Sequence, residues 1–349
     1  MESLYVIEPG CYLRREGASI KVFKDKKAIQ RIPADGLKKL LLAGYVSLTG
    51  GVMDFLIKNR VETVFITPTG RFRARLAIDE HRHVELRRAQ YLNLADGVFA
   101  ARTAGCIVAG KIDNMTRFIL IRARQYKNDP LRKLAARLKT FQPIYKKDAD
   151  GLDRIRGLEG AATRIYYSAF NDLIKNPEFK FHGRNRRPPL DPVNALLSFV
   201  YTLLTNEVLS AIKANGLDPY MGALHEISYG RPSLACDLVE EYRSFLGDRL
   251  VLGIINRKMI TPDDFVYRKS PPKNFIDEQE MRKKRPVEMK PAIMKALIAT
   301  YEEMMNRKIY YPPDDKKIGY RWLIHRQVAA FGNYLKNPKK PYKPFKWES

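Results

Sequence analysis

The chain has 349 residues, of which 63 are lysine or arginine and 38 are aspartate or glutamate, so its formal net charge is +25 at pH 7. This charge favours a polyanionic partner, because each phosphate that a basic side chain neutralises releases counterions; a basic protein indifferent to nucleic acid is the alternative. Three widely separated cysteines argue against a disulfide framework and a structural zinc site. The sequence has no apolar run of membrane-spanning length, so we expect a cytoplasmic protein with no membrane association.

The first part of the chain has the pattern of a small β-rich domain. Apolar and polar residues alternate in short bursts between turn residues, which predicts a meander of strands. We predict a short helix over residues 50–59, capped by Thr49, and a further strand over residues 62–66. A strand with one basic face over residues 71–75 completes the domain, which we place at residues 1–78.

Residues 79–335 have the pattern of a helical domain, because apolar residues recur at helical spacing. The predicted helices cover residues 84–109, 114–126, 130–138, 150–175, 191–212, 291–306 and 320–335. Asp129 and Asp191, each followed by proline, are predicted helix caps. The helix after Asp191 is apolar on most of its circumference, which predicts the buried central helix.

The basic, proline-rich residues 336–349 form a tail that we expect to be extended or disordered and to contact DNA or a partner. The predicted fold class is therefore α+β, with a small N-terminal β-rich domain followed by a larger all-helical domain.

Three acidic residues and a histidine suggest a divalent-metal site. Glu159 shares a helical face with apolar residues, and an unpaired buried carboxylate is expensive unless it is neutralised, paired or bound to metal. His225 lies in a loop before a helix that Ser233 is predicted to cap, and Asp237 and Glu240 lie one turn apart on that helix. One imidazole with carboxylates suits Mn²⁺ or Mg²⁺.

The alternative for Glu159 is a salt bridge to an arginine such as Arg184 or Arg231. For a single carboxylate this is the better interpretation, but the presence of His225 and two further acids favours the metal.

Three motifs resemble those of a known family. They are Gly157-Leu158-Glu159-Gly160-Ala161-Ala162; residues 181–195 with Arg184, Arg186, Arg187 and Asp191-Pro192; and residues 217–243 with Leu224-His225, Gly230-Arg231-Pro232, Asp237 and Glu240. Together they resemble the CRISPR-associated adaptation endonuclease, the integrase subunit of the spacer-acquisition complex. The resemblance covers residues 157–243, and several motifs must coincide to produce it.

The resemblance implies an N-terminal domain that forms a homodimer and a helical domain that holds one Mn²⁺ or Mg²⁺ ion. It implies that Glu159, His225 and Glu240 are the metal ligands, with Asp237 as an accessory catalytic acid. A small second adaptation protein is expected to bridge two dimers in a heterohexamer. The implied reaction joins the 3′-hydroxyl ends of a short foreign DNA to opposite strands of a double-stranded CRISPR repeat.

Helical phase places Asp237 nearer the apolar face and Glu240 towards the open side, so we predict that Asp237 orients a ligand rather than binding metal. Arginines in the motifs are candidates for phosphate contacts, and ion pairing inside the helical domain is an equally good interpretation of any one of them. These are Arg184, Arg186, Arg187 and Arg231. Two other functions stay open: a stand-alone metal-dependent nuclease acting on branched DNA in repair or in a mobile element, and a non-catalytic DNA-binding scaffold.

Overall fold

The computed structural model describes residues 3–67, 72–76, 83–141, 151–185, 188–267 and 287–347. The chain divides into two compact units, residues 1–80 with 288–300 and residues 81–287 with 301–349. A strand-rich N-terminal part precedes a mostly helical part, so the predicted α+β fold class is confirmed. The grouping of residues 288–300 with the N-terminal part was not predicted.

In its described part, the N-terminal unit contains β1 (Ser3–Val6), β2 (Tyr12–Glu16), β3 (Ser19–Lys24), β4 (Lys27–Pro33), β5 (Lys39–Ala43), β6 (Ser47–Leu48), α1 (Gly50–Lys58), β7 (Glu62–Ile66) and β8 (Phe72–Arg75). The strands form two sheets, in the orders β1-β5-β7-β8 and β4-β3-β2-β6. Apolar side chains from both sheets and from α1 share one core, which includes Leu4, Leu13, Val22, Leu40 and Val52.

The predicted meander is correct only for β2, β3 and β4, which are antiparallel neighbours. β1 pairs in parallel with β5, and β2 pairs in parallel with β6. Parallel pairing arises because the chain leaves the first sheet after β1 and returns to it only at β5.

The chain then forms α2 (Val84–Ala95), α3 (Gly97–Tyr126), α4 (Asp129–Lys139), α5 (Leu152–Ser168), α6 (Phe170–Leu173), α7 (Pro192–Ala214), α8 (Ser233–Val239), α9 (Arg249–Asn256), α10 (Pro291–Met305) and α11 (Tyr320–Lys336). A π-helical turn, Arg243–Asp248, joins α8 to α9, and short strands β9 (Phe265–Tyr267), β10 (Val287–Met289), β11 (Lys308–Tyr311) and β12 (Lys316–Gly319) occur late in the chain. β11 and β12 form an antiparallel hairpin. The region is thus mostly, but not entirely, helical.

One helix boundary differs from the prediction at a place that matters for the site. The sequence predicts a break at residues 110–113, but α3 runs through them without interruption. The chain turns instead at Asp96, whose carboxylate accepts a hydrogen bond from Phe99 N at 2.7 Å and caps α3. Lys111 consequently lies in the middle of a buried helix.

The predicted helix caps are correct to within one residue. Thr49 occupies the N-cap position of α1. Asp191 caps α7 by accepting a hydrogen bond from Asn194 N at 2.8 Å. Asn128, rather than Asp129, caps α4.

Helix α7 is the central helix of the second unit, as its sequence predicts. It packs against α8, α9, α11 and the π-helical turn. Within the described ranges it is long and apolar enough by itself to cross a membrane, but 78% of its most apolar stretch is buried inside the protein. Its apolar character is therefore that of a core helix.

The basic C-terminal segment has no regular secondary structure over residues 341–347, and it packs against the rest of the second unit. Tyr342 and Phe345 are buried. The Tyr342 hydroxyl and the Phe345 backbone N–H donate hydrogen bonds to the two carboxylate oxygens of Glu241, each at 2.7 Å. Burial raises the pKa of the Glu241 carboxyl to about 8, although both hydrogen bonds lower it.

Candidate metal-dependent active site

Asp237 holds the loop that carries His225. Its Oδ2 accepts hydrogen bonds from Ala223 N at 2.6 Å and Leu224 N at 3.0 Å, and its Oδ1 accepts one from His225 N at 2.9 Å. The carboxylate is fully buried, so these charge-assisted bonds fix the loop firmly. The chain needs glycine at position 222, because a Cβ there would lie 2.6 Å from Asp237 Oδ2.

The same carboxylate orients the imidazole of His225. Asp237 Oδ1 lies 2.7 Å from His225 Nδ1. Because a carboxylate oxygen only accepts, Nδ1 carries the proton, which leaves Nε2 as the ring nitrogen available to bind a metal. A carboxylate commonly orients a metal-binding histidine through its other ring nitrogen in this way.

Ser233 fixes the C-terminal end of the loop that carries His225. This residue does not cap α8, because Pro232 occupies the N-cap position. The Ser233 hydroxyl instead donates a hydrogen bond to Glu226 O at 2.9 Å. The sequence identified the correct start of the helix but not the contact that fixes the loop.

Lys111 lies between two of the predicted metal ligands. Its ammonium contacts Glu159 Oε1 and lies 2.8 Å from Glu240 Oε2. Arg243 NH1 lies 2.6 Å from Glu240 Oε1, and the Thr163 hydroxyl donates to Glu159 Oε1 at 2.9 Å. α3, α5 and the turn after α8 therefore bring two carboxylates together around a lysine.

The two carboxylates differ in burial from what the sequence predicts. The Glu159 side chain is 25% exposed, so it is half-buried rather than enclosed. The Glu240 side chain is 3% exposed, so the prediction that it faces the open side is wrong. Glu240 keeps helical backbone dihedrals at the end of α8, and its carboxylate pairs with Lys111 and Arg243 inside the protein.

Glu240 is ionised at neutral pH. Burial would raise the pKa of its carboxyl, but the charges of Arg243, Lys111 and His225 lower that pKa to about 2. Burial would likewise lower the pKa of the Lys111 ammonium, but Glu240 and Glu159 raise it. The site therefore consists of fixed charges of both signs.

The donor chemistry fits a divalent cation, although no three histidine, cysteine, aspartate or glutamate side chains in the described ranges converge at metal-binding distances. Glu159 and Glu240 already share a cation, the Lys111 ammonium. His225 is held by Asp237, which lies on the helix that ends just before Glu240. Carboxylate oxygens and one imidazole nitrogen are ligands that Mn²⁺ accepts.

The candidate arginines fall into different environments. The Arg184 guanidinium contacts Asn185 O, donates to Asn194 Oδ1 at 2.8 Å and lies over the Tyr201 ring at 5.3 Å. These contacts favour hydrogen bonding within the helical unit over a phosphate contact. Arg231 is exposed on the loop after His225. Arg186 and Arg187 lie outside the described residues.

Sequence reasoning missed a buried network behind the site. Arg243, which contacts Glu240, also lies over the Tyr201 ring at 5.1 Å. The Tyr201 hydroxyl donates to Asp248 Oδ1, and the Tyr166 hydroxyl donates to Asp248 Oδ2 at 2.6 Å. Burial raises the pKa of the Asp248 carboxyl to about 6 despite these bonds. In the sequence, the signal for this network is a set of polar residues within an otherwise apolar stretch. Interpreting Tyr201 as an ordinary core aromatic ignores that signal.

Comparison with known proteins identifies the family. The sequence profile described as "CRISPR associated protein Cas1" matches residues 4–286. The chain is 36% identical to the CRISPR-associated endonuclease Cas1 1 of Chlorobaculum tepidum, covering 99% of this chain and 98% of that protein. The class is therefore that of the CRISPR-associated endonucleases. The chain belongs to the Cas1 family, and the resemblance found in the sequence motifs is confirmed.

Solved structures share the fold. A chain in a structure titled "Cas6-RT-Cas1--Cas2 complex" matches with a TM-score of 0.82 and 22% identity, covering 99% of this chain and 36% of that chain. A structure titled "Casposase bound to integration product" matches with a TM-score of 0.81 and 22% identity, covering 100% of this chain and 95% of that one.

Proposed function

We propose that this protein is a Mn²⁺- or Mg²⁺-dependent DNA endonuclease and integrase that inserts short foreign DNA into a CRISPR array. Family membership supports the proposal. The observation that carries it is that Glu159 and Glu240 share one cation, while Asp237, three residues before Glu240, orients the imidazole of His225.

Glu159, Glu240 and His225 Nε2 would hold the ion, which when bound would stabilise charge on the attacked phosphate. Asp237 keeps the proton on His225 Nδ1 and the loop in place. Arg243 keeps Glu240 ionised. The chain needs no nucleophile of its own, because the attacking group is a 3′-hydroxyl of DNA or, in hydrolysis, water.

The charge of the protein suits a DNA substrate. The net charge is +25, and we propose that exposed Arg231 contacts a phosphate next to the site. Arg186 and Arg187 remain predicted phosphate contacts, and we assign Arg184 to support of the helical unit.

We further propose that the protein forms a homodimer through residues 1–78, and that a small second adaptation protein bridges two dimers in a heterohexamer. The solved complex named above contains Cas1 and Cas2 by its title, which supports a partner of this kind. Sedimentation of the protein alone and with the partner measures both stoichiometries.

The decisive experiment mixes the protein with a short duplex bearing 3′-hydroxyls, a supercoiled plasmid carrying a CRISPR repeat, and Mn²⁺, with and without the partner. We expect strand joining that requires both Mn²⁺ and the 3′-hydroxyl. Glu159→Ala should abolish joining and cleavage while DNA affinity is retained. Asp153→Ala is the matched control, because Asp153 lies on the same helix with its side chain 98% exposed.

The other outcomes identify the alternatives. Cleavage without joining, under every condition, would indicate a stand-alone nuclease. DNA binding without any Mn²⁺-dependent change to the DNA would indicate a non-catalytic scaffold.

A further inference from the structure

We propose that Lys111 is the cation that fills the active site when no metal is bound, and that a divalent metal displaces its ammonium from between Glu159 and Glu240. The inference rests on the proposed function, because it concerns the same metal site. It assigns a role to a residue that the ligand set does not include.

The geometry makes the ammonium and a metal mutually exclusive. Lys111 Nζ contacts Glu159 Oε1 and lies 2.8 Å from Glu240 Oε2, and its side chain is only 8% exposed. A metal bound by both carboxylates would take the same oxygens at a shorter distance, about 2.1 Å for Mg²⁺. Two cations so close together in a buried site would repel each other strongly.

The backbone of α3 is closely packed next to Lys111. At Gly110 a Cβ would lie 2.5 Å from Pro344 Cβ, so the helix contacts the C-terminal segment directly. We infer that the site is released by the Lys111 side chain, which can swing away on its flexible four-carbon stem. This motion leaves α3 in place.

The lysine also explains how the site exists without metal. Glu240 is almost fully buried, and removing one partner of a buried ion pair leaves an uncompensated charge that strongly destabilises a protein. Lys111 offsets the charges of Glu240 and Glu159 together. The same contacts must be broken before metal binds, so Lys111 lowers the metal affinity of the site.

The direct test labels lysines of the wild-type protein with an amine-reactive reagent, with and without Mn²⁺, and quantifies each modified lysine by mass spectrometry. We expect Lys111 to be protected without metal and to react several-fold faster with Mn²⁺. Lys258 is exposed, and its labelling should not change. Mn²⁺ binding is measured in parallel by electron paramagnetic resonance.

Two negative results have different meanings. If Mn²⁺ binds and Lys111 labelling does not change, the displacement is refuted and the proposed function stands. If the wild-type protein binds no Mn²⁺, the proposed function itself fails.

A variant gives the second measurement. Lys111→Met should bind Mn²⁺ about tenfold more tightly than the wild type, because no charged contacts must be broken first. It should also have a lower melting temperature in metal-free buffer and gain more on addition of Mn²⁺. Arg122→Gln removes one positive charge elsewhere on the same helix and should change the affinity little. Equal or weaker Mn²⁺ binding by a folded Lys111→Met would overturn the inference, and if that variant does not fold, the labelling result decides.

Discussion

Replacing Asp237 with asparagine tests whether this carboxylate builds the site or binds the metal. Asp237 accepts two hydrogen bonds on each oxygen, from Ala223 N and Leu224 N on Oδ2 and from His225 N and His225 Nδ1 on Oδ1. Asparagine has the same shape, but it has only one acceptor oxygen, and its amide nitrogen would face two donors. Either orientation of the amide therefore loses two of the four bonds.

The expected loss of stability is large. A hydrogen bond to a charged group contributes about 1.5–3 kcal/mol, so losing two costs about 3–6 kcal/mol before the loop relaxes. Asp237 is fully buried, so solvent does not offset the loss. Because a neutral amide holds His225 less firmly than the carboxylate does, we expect Mn²⁺ affinity to fall about 10- to 100-fold.

The assay is urea unfolding in metal-free buffer, followed by Mn²⁺ titration of the folded variant. Glu240→Gln is the matched comparison, since its side-chain carbonyl can still accept a hydrogen bond from Lys111 or Arg243. This variant should lose Mn²⁺ binding with a smaller loss of stability. If Asp237→Asn loses the metal at unchanged stability while Glu240→Gln keeps the metal, the two roles are reversed.

The net charge, the C-terminal segment and Asp248 each give a further prediction. Affinity for mixed-sequence duplex DNA should fall steeply from low to moderate salt, because the net charge is +25; a binding constant independent of salt would contradict this. Truncation after residue 337 removes buried Tyr342 and Phe345 and should lower the melting temperature by several degrees, and an unchanged transition would show that the segment contributes nothing to stability. Burial raises the pKa of Asp248 from 3.8 to about 6, so the folded state binds a proton at this carboxyl more tightly than the unfolded state does. Protonation of Asp248 therefore stabilises the fold fully at low pH, and this stabilisation is lost as pH rises through 6. The unfolding free energy of the wild type minus that of Asp248→Asn should therefore fall by about 2.5 kcal/mol between pH 4 and pH 7, whereas a difference independent of pH would show that Asp248 does not titrate in this range.

Local sequence patterns predicted the elements whose structure depends on neighbours in the chain. The central helix α7 follows from Asp191-Pro192 and from apolar residues around most of its circumference. The strand-rich start and the helical remainder likewise follow from the spacing of apolar residues, which changes from alternation to helical spacing. The parallel pairing of β1 with β5 was not predictable in this way, because it depends on where the chain returns.

The sequence singled out the acidic side chains of the candidate site but not the positive charges that neutralise them. Gly110 and Lys111 suggest a helix end in an apolar run, since glycine weakens a helix and a buried ammonium is expensive. In the fold, Pro344 fills the space beside Gly110, and Glu159 and Glu240 surround the Lys111 ammonium. All three partners lie far along the chain, so no window of sequence contains the reason for the uninterrupted helix.

These counter-charges have a consequence for how metal and folding are coupled. In small zinc domains the ligands come together only when metal binds, so a chelator unfolds the protein. Here Lys111 and Arg243 already neutralise Glu240, and Asp237 already holds His225. The site should therefore exist before metal arrives. We expect a chelator to abolish Mn²⁺-dependent activity while the far-ultraviolet circular dichroism spectrum and the cooperative melting transition remain. Loss of that transition on chelation would mean that the lysine and arginine do not hold the carboxylates together, and that metal is required for the fold.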